Sequence, residues 1–108
     1  MPKYLLLFKY SSEGAKGFLK EKAAPREAEI RKTFAGMGGK VEEFYWATGG
    51  EHSGAIVVEL PDAATGAAFL MIADATGAFD AVATMEVVTS SELDKALAKT
   101  ITYRPPGG

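Results

Sequence analysis

The chain's only histidine, His52, is the side chain best suited to acid–base chemistry near neutral pH. It lies in the polar segment 49–53, Gly-Gly-Glu-His-Ser, which is typical of a turn between two strands. We expect Glu86, on a later strand, to come near this turn, so that His52 acts as a general base and Glu86 orients it. The alternative is a solvated turn histidine that has no partner.

A second group of charged side chains is predicted at the opposite end of the same sheet face. It consists of Lys9, Glu43 and Glu59. Two neighbouring carboxylates raise the pKa of one of them, and a lysine between them counters that effect. Such a group could anchor a ligand or transfer a proton. It could equally be a structural ion network that fixes a contact between subunits.

Two polar side chains, Tyr45 and Thr84, are predicted in the middle of that face. They could hydrogen-bond a ligand, or they could bond to each other or to a buried water. Trp46 falls on the helix-covered face and is interpreted as core. A register slip of one residue would bring it into the cavity instead.

Composition excludes several kinds of chemistry. The chain has no cysteine, so thiolate nucleophiles, disulfides and zinc–sulfur sites are absent. No glycine-rich dinucleotide or phosphate motif is present. We expect no cofactor and no metal. The net charge of −2 argues against nucleic-acid binding. The charge is unevenly distributed: residues 1–40 carry nine Lys/Arg and four Glu, a net charge of +5, whereas residues 41–108 carry three Lys/Arg and ten Asp/Glu, a net charge of −7.

Hydropathy indicates neither a leader nor a membrane anchor. The apolar run Leu5–Phe8 is far too short for the core of a signal peptide. No segment approaches the roughly 20 apolar residues that a membrane span needs. We therefore expect a cytoplasmic protein that has no membrane partner.

The hydrophobic pattern predicts one domain over residues 1–100 and an extended tail over 101–108. Strands are predicted at Tyr4–Tyr10, Lys40–Thr48, Gly54–Leu60 and Ala81–Thr89. A short helical turn is predicted near Ala15–Leu19. Full helices are predicted from Pro25 to Gly38, from Asp62 to Ala75, and from a capping box at Thr89 and Glu92 to about Lys99.

This element order predicts an α+β fold, a ferredoxin-like βαββαβ sheet with its helices on one face. Strands one and three are predicted to be parallel and central, and a hairpin centred on Glu51 pairs Tyr45 with Val57. Met85 and Val87 fall on the helix-covered face, whereas Val41, Thr84 and Glu86 fall on the other. That second face is too apolar for open solvent, and the helix after Asp62 is apolar nearly all round, so we expect a homodimer or higher oligomer.

The sequence resembles the GYD domain family over essentially its whole length. The similarity lies in the segments Lys3–Tyr10, Glu13–Gly17, Gly38–Glu42, Phe44–Tyr45, Val57–Asp62 and Tyr103–Gly107. The resemblance implies a dimeric α+β barrel and no settled activity. The Gly-Tyr-Asp stretch that names the family is replaced here by Gly50–Ser53, so no role of those family residues transfers. Because related dimeric barrels include haem enzymes, haem ligation by His52 is a further alternative.

These observations lead to three functional hypotheses. The first is a dimeric barrel that binds a small apolar or aromatic ligand, with His52, Glu86 and Tyr45 as the catalytic set if it is an enzyme. Proton transfer or oxidation of an aromatic or enolisable substrate without a cofactor would suit such a site. The second is a non-catalytic assembly or regulatory module. The third is haem binding through His52.

Overall fold

The computed structural model describes all residues from Met1 to Gly108. Its sheet has four strands, β1 (Lys3–Tyr10), β2 (Lys40–Trp46), β3 (Gly54–Glu59) and β4 (Phe79–Val87), in the order β2-β3-β1-β4. The ferredoxin-like α+β fold is therefore confirmed. Strands one and three are central, but they are antiparallel. Their predicted parallel pairing was wrong. The helical crossover between β1 and β2 makes those two strands parallel, and the β2–β3 hairpin then makes β3 antiparallel to both of them.

Four helices accompany the sheet. They are α1 (Ser12–Glu21), α2 (Ala23–Gly36), α3 (Ala63–Ala75) and α4 (Ser90–Leu97). The region predicted as one helical turn is a complete ten-residue helix, because the Ser11 hydroxyl accepts a hydrogen bond from the Gly14 amide and caps it. Lys22, with φ of +78°, separates α1 from α2.

Side chains at the starts of the last two helices satisfy free backbone amides. The Asp62 carboxylate accepts from the Thr65 amide at 2.8 Å and caps α3. At the start of α4, Thr89 and Glu92 form the predicted capping box. Both helix starts were readable from the sequence because capping depends on a local pattern of only four residues.

The hydrophobic core lies between the sheet and the helices. Phe34 of α2 and Val58 of β3 are completely buried at its centre. At the hairpin end, Trp46 packs on Phe18 with ring centroids 4.8 Å apart, so Trp46 lies on the helix-covered face as predicted. The nine residues of the buried cluster are Leu6, Phe8, Tyr10, Phe34, Val41, Phe44, Ile56, Val58 and Leu60.

The phase of β4 differs from the prediction by one residue. Leu6 pairs with Thr84, and Leu5 pairs with Met85. Because directly opposed residues share a face, Thr84 and Glu86 lie on the helix side, while Met85 and Val87 lie on the open side. The strand begins at Phe79, which stacks on Tyr10 with centroids 5.4 Å apart, and an irregularity at Lys9/Tyr10 resets the alternation.

The β2–β3 hairpin also has a different register. Tyr45 pairs with Ala55 instead of Val57, a shift of two residues that preserves the faces. A bulge at Glu42 then places Val41 opposite Val58 and turns it into the core, with 7% exposure. Val41 was predicted on the open face, and the bulge explains the difference because one extra residue inverts the alternation.

No helix of the chain covers the second face of the sheet, called here the open face. Its apolar side chains are Leu5, Leu7, Tyr45, Ala55, Val57, Ala83, Met85 and Val87. Tyr45 and Met85 are 65% and 56% exposed. Separately, none of the four helices combines the length and hydropathy needed to cross a bilayer.

Candidate functional site

A small apolar crevice lies between the sheet and α3. Its volume is about 180 Å³, and nine of its eleven lining residues are hydrophobic. Leu6, Phe34 and Val58 form its floor, and Ala67 and Leu70 of α3 form part of its wall. An apolar cavity of roughly 150 Å³ is enough to take up a benzene-sized molecule. The crevice can therefore accept a single small ring.

The crevice exists because small residues of α3 face the sheet. Ala63, Gly66 and Ala67 line it, and a Cβ added at Gly66 would lie 3.2 Å from the Leu60 side chain. Larger side chains at these positions would fill the space. The sequence Ala63-Ala64-Thr65-Gly66-Ala67-Ala68 therefore keeps the α3–sheet contact incompletely packed.

One polar group in the crevice has no partner. The Tyr4 hydroxyl is inaccessible to solvent and makes no hydrogen bond. Burial raises its pKa first, and the Glu86 carboxylate raises it further through its charge and through an approach to the hydroxyl that does not reach the geometry of a full hydrogen bond. Tyr4 therefore stays neutral at physiological pH and keeps a proton to donate. A buried hydroxyl without a partner is unfavourable, so this group is suited to a bound polar atom.

One of the predicted site residues lines this crevice and a second lies beside it, both on the face opposite to the one expected. Thr84 lines it, and Glu86 pairs directly with Tyr4 across the β1–β4 ladder. Tyr4 itself was missed by the sequence analysis. Its position in an almost continuously apolar strand could have signalled it, because a tyrosine in such a run must bury a hydroxyl.

His52 lies at the other end of the sheet. It is half-buried in an open groove that also contains Lys9, Phe18, Trp46 and Ser53. Its neighbour two residues on, Gly54, pairs with Phe8, whereas Glu86 pairs with Tyr4. At about 3.4 Å per residue, those two levels of β1 are roughly 14 Å apart. The predicted His52–Glu86 pair does not form, because β4 runs antiparallel to β1 and carries Glu86 away from the hairpin.

Lys9, Glu43 and Glu59 do not converge either. The Lys9 ammonium donates to the Gly50 carbonyl at 3.2 Å, at the hairpin end. Glu59 pairs with Lys3 at the opposite end of β1, and Glu43 lies level with Val57 between them. The predicted cluster was wrong because its hairpin was centred one residue too late and because the antiparallel β1–β3 pairing separates Lys9 from Glu59.

A different charge cluster replaces it at the Lys3 end of β1. Lys3 forms an ion pair with Glu42 at 3.0 Å. A hydrogen bond with Glu59 and the ion pair with Lys3 lower the pKa of Glu42. Lys3 has a raised pKa for the same reason, with Glu42 as the main cause. The bulge that buries Val41 also brings Glu42 to Lys3, so this cluster stabilises the edge of the sheet.

Tyr45 lies on the open face as predicted. Its hydroxyl donates to Glu43 at 2.9 Å, and that hydrogen bond raises the pKa of Tyr45. The predicted contact between Tyr45 and Thr84 is not present, because Thr84 lies on the opposite face. No group of three or more His, Asp or Glu side chains is arranged to hold a metal ion.

A second tyrosine hydroxyl is also buried without a partner. Tyr10 stands on the same strand as Tyr4, at its opposite end, within a cluster of aromatic rings that includes Phe18 and Phe79. The groove beside it contains Arg26, whose guanidinium approaches the Tyr10 hydroxyl and forms an ion pair with Glu21 at 3.4 Å. Tyr10 therefore has polar groups within its own groove, whereas the Tyr4 crevice is almost entirely apolar.

Comparisons with known proteins agree with this architecture. The GYD domain model matches residues 4–97. The crystal structure of FFRP-DM1 is similar with a TM-score of 0.50 and 19% identity, covering 82% of this chain and 100% of that one. A hypothetical protein from Pyrococcus horikoshii, PHS023, has a TM-score of 0.49 and 19% identity, covering 83% and 93%. No curated protein matches the sequence. At 19% identity the FFRP-DM1 structure supports the fold alone.

Proposed function

This chain belongs to the GYD domain family, and we propose that it is a homodimer that binds a small aromatic or apolar molecule in the crevice beneath α3. The unpartnered Tyr4 hydroxyl in that crevice is the observation that carries the proposal. Apolar walls with a few polar groups are typical of small-molecule sites. The expected ligand has one ring and one hydrogen-bonding atom placed to meet Tyr4.

The same groups could support proton transfer. The Glu86 carboxylate would accept a proton from an enolisable carbon, and the neutral Tyr4 hydroxyl would donate a hydrogen bond to the oxygen that becomes negative. This version of the proposal replaces the predicted set of His52, Glu86 and Tyr45 with Tyr4 and Glu86. It requires only residues that the β1–β4 ladder already places opposite each other.

Phenol is a suitable probe, because it combines one ring with one hydroxyl group. We expect titration with phenol to shift the backbone amide NMR signals of Tyr4, Gly66 and Thr84. Tyr4→Phe should weaken phenol binding at least about fivefold, since one hydrogen bond contributes about 1 kcal/mol. Ala67→Leu should abolish binding by filling the crevice while keeping a strong helix former in α3.

Tyr10→Phe is the matched control, because it removes the other buried, unpartnered hydroxyl of the same strand. We expect this variant to bind phenol like the unmodified chain. Signal shifts confined to the groove of His52 and Trp46, or an equal loss of binding in both tyrosine variants, would contradict the crevice as the site. Native mass spectrometry of the freshly purified protein would show whether a molecule of this class is already bound.

A second candidate function is a non-catalytic assembly module, favoured by the half-apolar open face. If phenol and related single-ring compounds leave the NMR signals of the crevice residues unchanged while the chain still forms dimers, the assembly function is favoured over ligand binding. Haem binding through His52 has a simple separate test. Added haemin should then give a Soret band that disappears in His52→Ala.

A further inference from the structure

We infer that the C-terminal arm, residues 88–104, crosses to a second copy of this chain and packs against the edge and surface of that copy's open face. This inference rests on the self-association part of the proposed function and does not depend on the ligand crevice. It goes beyond a simple contact between two sheets, because it assigns a segment of one subunit to complete the apolar surface of the other.

The first argument is that the arm has an apolar side with nothing to cover it. No residue of α4 is buried. Leu93 and Leu97 lie four residues apart on one side of this helix, and they are 50% and 63% exposed. Ile101 and Tyr103 continue the apolar surface into the tail at 68% and 76% exposure. An amphipathic helix of eight residues is not stable by itself, so this side needs a partner surface.

The second argument is the shape of the chain. Its radius of gyration is 17.0 Å and its longest dimension is 56 Å. A compact chain of this length has a radius of gyration of about 13 Å. The excess arises because the arm projects from the body instead of folding over its own sheet. α4 makes no substantial contact with the other helices or strands, and the capping box of Thr89 and Glu92 links only residues of the arm to each other.

The third argument is the size of the open face. Four strands at about 4.8 Å spacing and about six paired residues at 3.4 Å each give a flat area of roughly 400 Å². A standard stable interface buries about 800 Å² on each partner. Accessible area exceeds flat area because side chains roughen the surface, but a face this small leaves little margin for a stable contact, and the exposed apolar side chains of the arm would enlarge it.

The fourth argument is charge. Residues 95–104 carry Lys95, Lys99 and Arg104 and no acidic residue. The open face carries Glu43 and Glu59 and also Lys3 and Lys9, so it has no net acidic charge. Glu43, whose carboxylate accepts from the Tyr45 hydroxyl and forms no ion pair, is the acidic group on this face that a cationic side chain of the arm would meet.

A photo-crosslinking experiment tests the inference directly. Because the chain has no cysteine, Leu97→Cys creates one unique thiol that can be labelled with a benzophenone maleimide. The labelled chain is mixed with an excess of ¹⁵N-labelled, unmodified chain, the subunits are exchanged, and the mixture is illuminated. We expect mass spectrometry to find cross-links from position 97 mainly to ¹⁵N peptides of β1 and β4 that contain Leu5, Leu7 or Met85.

Ser91→Cys is the control, since this residue lies roughly 140° around α4 from the middle of the side formed by Leu93 and Leu97. Its label should give several-fold fewer cross-links to the open face. Cross-links from position 97 confined to its own ¹⁴N chain, or to ¹⁵N peptides outside the open face, would overturn the inference. If native mass spectrometry of the same mixture shows monomers only, the self-association on which the inference rests is contradicted. Phenol binding to the crevice is measured by the NMR titration and does not depend on this result.

Discussion

At the scale of single residues, the most informative side chain is Tyr4, because its hydroxyl is buried without a hydrogen bond. Such a group reduces folding stability, since it loses water on folding and gains no partner. Proteins that retain an unfavourable group at a binding site trade stability for function. Stability measurements on the free protein can therefore detect the cost of keeping this hydroxyl.

We expect Tyr4→Phe to raise the urea midpoint of unfolding in the absence of ligand, because phenylalanine keeps the ring and removes the unpaired hydroxyl. Saturating phenol should raise the midpoint of the unmodified chain more than that of the variant. Equilibrium unfolding followed by circular dichroism checks both effects. A lower midpoint for ligand-free Tyr4→Phe would indicate that the hydroxyl already has a stabilising partner.

Glu42 is expected to contribute to acid sensitivity. Its pKa is lowered in the folded state by hydrogen bonding with Glu59 and by Lys3. The stabilisation is therefore complete above the unfolded pKa of 4.5 and is lost as the pH falls through the lower, folded value. Glu42→Gln should reduce stability at pH 7 and leave it nearly unchanged at pH 3.

Urea unfolding at the two pH values measures this difference. Glu29→Gln is the control, because Glu29 is exposed on α2 and forms no ion pair within 4.0 Å. A Glu42→Gln variant that loses the same stability at pH 3 as at pH 7 would show that the carboxylate charge is not responsible.

At the scale of elements, sequence reasoning succeeded where the deciding interactions are local. The helix starts at Asp62 and Thr89 follow from capping side chains within four residues. The strands of β1 and β3 follow from dense apolar runs. The placement of Trp46 on the core side was also confirmed, because the two-residue shift of the hairpin register preserves the faces.

The candidate site was less predictable because it depends on the phase of strands. β4 contains apolar residues on both of its faces, so its alternation does not identify the buried one. Phe79, which was left outside the predicted strand, anchors the phase by stacking on Tyr10. The bulge at Glu42 has no sequence signature of its own, yet it decides the face of Val41 and the contact with Lys3.

Glycine substitutions in two elements should have opposite effects on stability. At Gly54 in β3, a Cβ would lie 2.6 Å from a ring atom of Phe8, which is buried and cannot move freely. We expect Gly54→Ala to cost about 2 kcal/mol of unfolding free energy through overpacking. At Gly17 in α1, a Cβ meets nothing within 4 Å. Gly17→Ala should stabilise by about 0.5–1 kcal/mol, because alanine favours the helix.

Thermal and urea unfolding of both variants measure the difference, which should be close to 3 kcal/mol between them. The comparison is internally controlled, because the same methyl group is added in each case. Equal effects of the two substitutions would show that the close approach of Gly54 to Phe8 is relaxed in solution.

At the scale of the whole molecule, two apolar surfaces remain without a partner in a single chain. They are the open face of the sheet and the apolar side of the arm. Both features favour an assembly of identical subunits over an isolated monomer.

Placing a charge at the centre of the open face should therefore break the assembly. We expect Leu7→Asp to weaken self-association by roughly a hundredfold or more, because an unpaired carboxylate would be buried between subunits. Light scattering coupled to size exclusion should show a mass falling to the monomer value of 11.4 kDa. Leu19→Asp, on the exposed side of α1, is the matched control and should keep the mass of the assembly.

Because a dimer is stabilised by its own concentration, the unmodified chain should also melt at a higher temperature as its concentration rises, while Leu7→Asp should not. Circular dichroism establishes that the Leu7→Asp chain is folded, and Val57→Lys on the neighbouring strand provides a second variant if it is not. A chain that is monomeric without any substitution, or a Leu7→Asp variant with unchanged mass, would show that the open face is not the surface through which the subunits associate.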